Sequence, residues 1–70
     1  MKQSKIIFKG IVKEVLRSDT FRVLLENGVY ITAYLSGKIR MNKVKIILGD
    51  SVQVELSPYD LTKGRIRYRL

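Results

Sequence analysis

Apolar and polar residues alternate along most of the chain. Across residues 21–26, Phe21, Val23 and Leu25 fall on one side and Arg22, Leu24 and Glu26 on the other, the period of two that marks a strand. Asn27-Gly28 follows at once and supplies the positive φ angles of a two-residue turn, so the chain reverses into a second arm over 29–35. In that arm Val29, Ile31, Ala33 and Leu35 form the apolar set, while Tyr30, Thr32 and Tyr34 face the other way. An earlier strand, Ile6–Arg17, has a confused parity: Phe8, Val12 and Leu16 compete with Ile7, Ile11 and Val15. Gly10 inside it predicts a bulge or bend at which one long strand changes faces as it curls around a small barrel.

The alternation breaks over 36–43, where Ser36 reads as the N-cap of one or two helical turns. It returns after Gly49-Asp50, with Val52, Val54 and Leu56 inward and Gln53 and Glu55 outward, and stops at Pro58, which cannot donate to a ladder. Residues 58–64 then form a turn, in which Asp60 and Thr62 bond the nearby backbone and Gly64 relieves strain. In the last six residues Ile66, Tyr68 and Leu70 make a packing face, and Arg65, Arg67 and Arg69 point out from the other. The sum is an all-β domain over 6–70: a five-stranded antiparallel OB-fold barrel with Greek-key connections and a short helix between strands 3 and 4. An SH3-like barrel also has five strands but needs no helix there. Phe8 and Phe21 read as core residues, and residues 1–5 as a flexible N-terminus too short for a targeting signal.

At 70 residues such a domain buries only about 60% of its unfolded surface, so its core must be small and well packed. The chain has no cysteine to staple it. Charge changes the picture more: 14 Lys and Arg against 6 Asp and Glu give +8, far beyond what solubility needs, and call for a polyanionic partner. No apolar run approaches the ~20 residues of a membrane span, and no stretch is a basic amphipathic helix. Nucleic acid is left as the partner. With no exposed apolar stripe expected, the free protein reads as a monomer.

Catalysis finds little support. Histidine and cysteine are absent, which removes the commonest general base, the thiolate nucleophile and the usual transition-metal ligands. Most of the six carboxylates sit beside turns, and neither a phosphate loop nor an activated serine appears. The sequence therefore predicts no enzyme, no catalytic or metal site and no cofactor. Binding has clear candidates: Lys38, Arg40, Lys43 and Lys45 around the helix, and Lys63, Arg65, Arg67 and Arg69 at the end, with no acidic residue interspersed in either segment. A lone exposed cation usually serves solubility alone, but guanidinium groups on alternate strand positions grip phosphates bidentately and stack on bases. Tyr30, Tyr34 and Tyr59 are the candidate stacking platforms, with cross-strand packing the alternative for Tyr30 and Tyr34. Tyr68 is assigned to the core.

Three phrases, FRVLLENG (21–28), SGKIR (36–40) and GDSVQVELSPYDLTKGRIRYR (49–69), resemble bacterial and chloroplast translation initiation factor 1 in the same order and spacing. The resemblance implies an OB barrel that binds ribosomal RNA at the aminoacyl-tRNA (A) site of the small ribosomal subunit. There the factor occludes the site during initiation and cooperates with initiation factors 2 and 3, in a bacterial cytoplasm or a chloroplast stroma. By position it implies RNA contacts for Lys38, Arg40, Lys45, Lys63, Arg65 and Arg69. This chain departs from the family in the turn LRSDTF (16–21), and Lys45 replaces a usual arginine, keeping the charge without the guanidinium fork. The alternative reading is a general single-stranded RNA-binding protein or RNA chaperone of cold-shock type, which expects more aromatics on one strand face.

Overall fold

The alternating segments become five strands and a helix: β1 (Ile6–Arg17), β2 (Thr20–Leu25), β3 (Tyr30–Leu35), α1 (Gly37–Met41), β4 (Ser51–Leu56) and β5 (Lys63–Arg69). The computed structural model describes residues 6–41 and 44–70; the segment 1–5, Lys43 and the side chain of Lys38 lie outside the described residues. The strands close into a barrel in the order β1-β2-β3-β5-β4, with β1 paired to β2 along its second half and to β4 along its first. This is the expected OB barrel, with one seam that differs from an all-antiparallel sheet. Beside β3, β5 runs parallel, because the chain crosses the barrel end through α1 and returns up β4 before it can close the ring.

Parity in β1 is resolved differently from expectation. Gly10 lies on the inward face and pairs with both Leu25 and Val52; a Cβ there would stand 2.5 Å from Val23 Cγ1, so this glycine permits close approach. The register shifts come later, between Val12 and Glu14 and between Val15 and Arg17, making Lys13 and Leu16 the extra residues of two bulges. Ile6, Phe8 and Val12 consequently pack on or in the core, and Ile7, Ile11, Val15 and Leu16 are exposed.

The β2–β3 turn is also longer than expected. Gly28 donates to the Leu25 carbonyl and Leu25 to the Val29 carbonyl, both at 2.9 Å, with Gly28 at φ 86. That is a three-residue loop with a glycine bulge, and it leaves Val29 exposed rather than inward. Beyond it Ile31 and Ala33 are buried and Tyr30 and Tyr34 exposed, as the alternation requires. Phe21, Val52, Val54, Leu56 and Ile66 complete the barrel interior with Val12, Val23 and Leu25.

Ser36 caps α1: its Oγ accepts the Ile39 N–H at 3.3 Å, and its own N–H is held by the Ile66 carbonyl at 3.1 Å. The cap fixes the helix to β5 and sends Ile39 into the core. At the other end of β4, Gly64 belongs to β5 and not to the turn. Its missing Cβ leaves room for Val54 Cγ1, at 2.6 Å from where that Cβ would be. Then β5 bulges, because Ile66 pairs with Val54 but Tyr68 pairs with Gln53, leaving Arg67 as the extra residue. Tyr68 is thereby turned outward, 45% exposed, against the expectation that it joins the core. Leu70 is likewise exposed.

Candidate nucleic-acid interface

The outer face of β3 and β5 gathers the residues from which the candidate site is built. In the parallel ladder Thr32 lies beside Lys63 and Tyr34 beside Arg65, and on the far side of β3, Thr32 faces Arg22 and Tyr34 faces Thr20. Neighbours across a ladder present side chains on one surface, so Arg22, Lys63, Tyr34 and Arg65 form a mixed cationic and aromatic patch. Tyr30 continues it: the Arg22 guanidinium sits 5.8 Å from its ring centroid, a cation–π contact. Tyr34, Tyr59, Lys63 and Arg65 also line one open groove, bounded by Pro58 and the end of β4. Tyr59 reaches out of it, 92% exposed.

The tip of the β4–β5 loop that carries Tyr59 is fixed by Asp60. Its carboxylate accepts the Thr62 hydroxyl and, at 3.0 Å, the Thr62 N–H, as the sequence expects of that pair. The hydroxyl bond first, then the N–H and the nearby Lys63 charge, holds the Asp60 carboxyl below its ordinary value.

The arginine row of the last strand does not stay on one face. Arg65 remains outward and exposed beside Tyr34. Arg67, at the bulge, forms a half-buried salt bridge with Glu55 at 2.7 Å. Arg69, past the bulge, pairs with inward-facing Val52 and donates to the Lys45 carbonyl at 3.1 Å. The bulge therefore divides the row, leaving Arg65 and Lys63 with the tyrosines and placing Arg69 with Lys45 at the segment that follows the helix.

Arg40 projects from α1 to the β1–β2 turn and meets Asp19 at 2.9 Å. Thr20 follows Asp19 and pairs with Tyr34, so register lays out a band of positions from the Arg40–Asp19 pair to Tyr34 and Arg65, and Glu55, opposite Arg65, leads on to Arg67. Two acids enter it, Asp19 and Glu55, neither of which belongs to the cationic segments in sequence. Arg22 and these acids are what the sequence reading missed: strand pairing brings in Arg22 and Glu55, and the approach of α1 to the β1–β2 turn brings in Asp19. Among the described residues, no group of three His, Cys, Asp or Glu could hold a metal, and no helix is long and apolar enough to cross a membrane.

A family model described as translation initiation factor 1A / IF-1 matches residues 2–70. The translation initiation factor IF-1 of Mycoplasmoides gallisepticum is 61% identical over 69 residues, covering 99% of either chain. The chloroplastic IF-1 of Tetradesmus obliquus is 58% identical over 69 residues, 97% of this chain and 68% of that protein. Among solved structures, the translation initiation factor IF-1 of the Wolbachia endosymbiont of Brugia malayi superposes with a TM-score of 0.79 at 43% identity, covering 97% of this chain and 80% of that one. YjeQ from Thermotoga maritima matches with a TM-score of 0.74 at 32% identity, covering 93% of this chain but 23% of its own length.

Proposed function

The chain belongs to the translation initiation factor 1A / IF-1 family, and from that premise we propose that it is a non-enzymatic, monomeric RNA-binding factor of the small ribosomal subunit. It docks on ribosomal RNA at the aminoacyl-tRNA (A) site, occludes that site during initiation, and cooperates with initiation factors 2 and 3. A bacterial cytoplasm or a chloroplast stroma is its place of action. The observation that carries the reading is the band in which Tyr34 lies beside Arg65 on a closed barrel, with Lys63 and Tyr59 in the same groove and Arg40 at its end.

The chemistry follows from those parts. Guanidinium and ammonium groups on β5, α1 and the segment beyond it contact phosphates and fix the orientation of the barrel. Lys38 and Lys43 add charge, and Lys45 and Arg69 extend the contact past the helix. Shape supplies selectivity, because a rigid barrel matches a folded RNA cleft and not a flexible strand, and Tyr30, Tyr34 and Tyr59 offer faces to unpaired bases. Excluding a tRNA then needs bulk alone.

The test is a competition at physiological salt between purified small subunits and an equal mass of unstructured RNA, with wild type and an Arg40→Ala/Arg65→Ala double mutant. Wild type is expected to prefer the subunit and the mutant to lose that preference, with affinity for subunits falling ~10³-fold between low and moderate salt, as several neutralised phosphates require. Equal binding to both RNAs would transfer the proposal to a general single-strand binder or RNA chaperone.

A further inference from the structure

Five of the six acids of this basic protein divide by what they hold. Glu26, Asp50 and Asp60 accept backbone N–H groups, of Lys9, Ile47 and Thr62, and so serve turns. Asp19 and Glu55 instead accept from guanidinium groups of the proposed RNA face. The Glu55–Arg67 bridge is half-buried within the sheet. The Asp19–Arg40 bridge is open, with side chains 43% and 60% exposed, and joins segments 21 residues apart.

Asp19 is well fixed for a half-exposed residue. Its carbonyl accepts the Leu35 N–H at 3.1 Å, one carboxylate oxygen accepts the Thr20 hydroxyl at 3.1 Å, and the other accepts Arg40 Nη2 at 2.9 Å. A negative charge is thus anchored at the rim of a cationic band, next to the ladder position of Tyr34.

We propose, resting on the RNA-binding reading above, that Asp19 is a specificity-determining residue acting through Arg40. The side chain occupies Arg40 in the free protein and repels phosphates that approach it without other support. An exposed ion pair of this kind is weak enough for a phosphate to displace. After displacement the carboxylate stays beside Arg40, and a phosphate on that side of the guanidinium lies well inside a Debye length of about 8 Å, where repulsion is strongest. A folded RNA whose phosphates are placed by several other contacts approaches Arg40 from the side away from Asp19 and loses little. A flexible strand gains its contacts one at a time, cannot hold that approach, and meets the repulsion in full.

The experiment compares wild type, Asp19→Asn, Asp19→Ala, Arg40→Gln and the Asp19→Asn/Arg40→Gln pair for binding to small subunits and to a single-stranded oligoribonucleotide across a salt series. Asparagine keeps an oxygen for the Thr20 hydroxyl, and the Leu35 N–H is held by backbone. Asp19→Asn is expected to tighten oligoribonucleotide binding about two- to fivefold and to steepen its salt slope by roughly 0.7, the signature of one more phosphate. Its affinity for subunits should stay within about twofold. In the Arg40→Gln background the gain should vanish. An equal gain on both RNAs, or a gain that survives without Arg40, would reduce Asp19 to general charge and overturn the proposal. A loss on both RNAs, shared by Asp19→Ala, would make Asp19 a structural strut and overturn it as well. If wild-type protein shows no preference for subunits, the ribosomal reading fails on that arm alone, while the effect of Asp19→Asn on the oligoribonucleotide still reads out separately.

Discussion

Gly10 and Gly64 occupy places where a methyl group has nowhere to go. At Gly10 a Cβ would lie 3.0 Å from the Leu24 carbonyl oxygen as well as against Val23, and at Gly64 it would lie 3.1 Å from the Glu55 oxygen and against Val54. Side-chain ends can swing aside; ladder carbonyls move only with their strand. Gly10→Ala and Gly64→Ala should each cost about 1–3 kcal/mol, read as a lower urea midpoint at unchanged slope. Gly37 is the contrast, since nothing lies within 4 Å of a Cβ there, and Gly37→Ala should be neutral or stabilising by up to about 1 kcal/mol. Asp60 provides a second prediction at this scale. Its carboxyl is held below 3.8 in the folded chain, first by the Thr62 hydroxyl, so its contribution to stability is complete above pH 3.8 and disappears as acid carries the pH down through the folded value. Removing that hydroxyl with Thr62→Val should move the Asp60 titration back toward 3.8, which carboxyl NMR would follow directly.

The short helix depends on the residue that precedes it more than on its own five. Ser36→Ala removes the acceptor for the Ile39 N–H in a buried setting and should cost about 1 kcal/mol. Because the same turn presents Arg40, the variant should also weaken RNA binding without any loss of charge, a combination that parallel denaturation and binding titrations would expose. Strands were legible in the sequence wherever pairing is regular: the inward sets of β2 and β4, and Ile31 and Ala33 of β3, follow from alternation alone. Legibility failed at Lys13, Leu16 and Arg67, the extra residues of three strand bulges, because none of them is the glycine that marks a bulge in sequence and the barrel's need to bend its strands decides the place. Tyr68 went with Arg67, since one inserted residue reverses every side chain after it. In the candidate site the cations stood out by charge density. Asp19, Glu55 and Arg22 did not, because their adjacency to Arg40, Arg67 and Tyr30 is created by the fold and not by proximity in sequence.

For the molecule as a whole, +8 on 70 residues pulls in two directions. Self-repulsion among cations opposes the compact state, and screening within about 10 Å at 0.1 M salt relieves it. The thermal midpoint should therefore rise over the same range of added salt in which RNA affinity falls, and calorimetry beside the binding series would show the two curves crossing. The parallel seam between β3 and β5 has a consequence in time. A chain is made from its N-terminus, so β1, β2 and β3 can pair as they emerge and β4 can lie against β1, yet the facing edges of β3 and β4 both wait for one later strand. Until residues 63–69 are free to pair, the ring cannot close: β3 and β4 each keep a bare edge, and the space that Ile66 fills stays open. The moment at which this chain acquires its outline is therefore set by the delivery of its last strand.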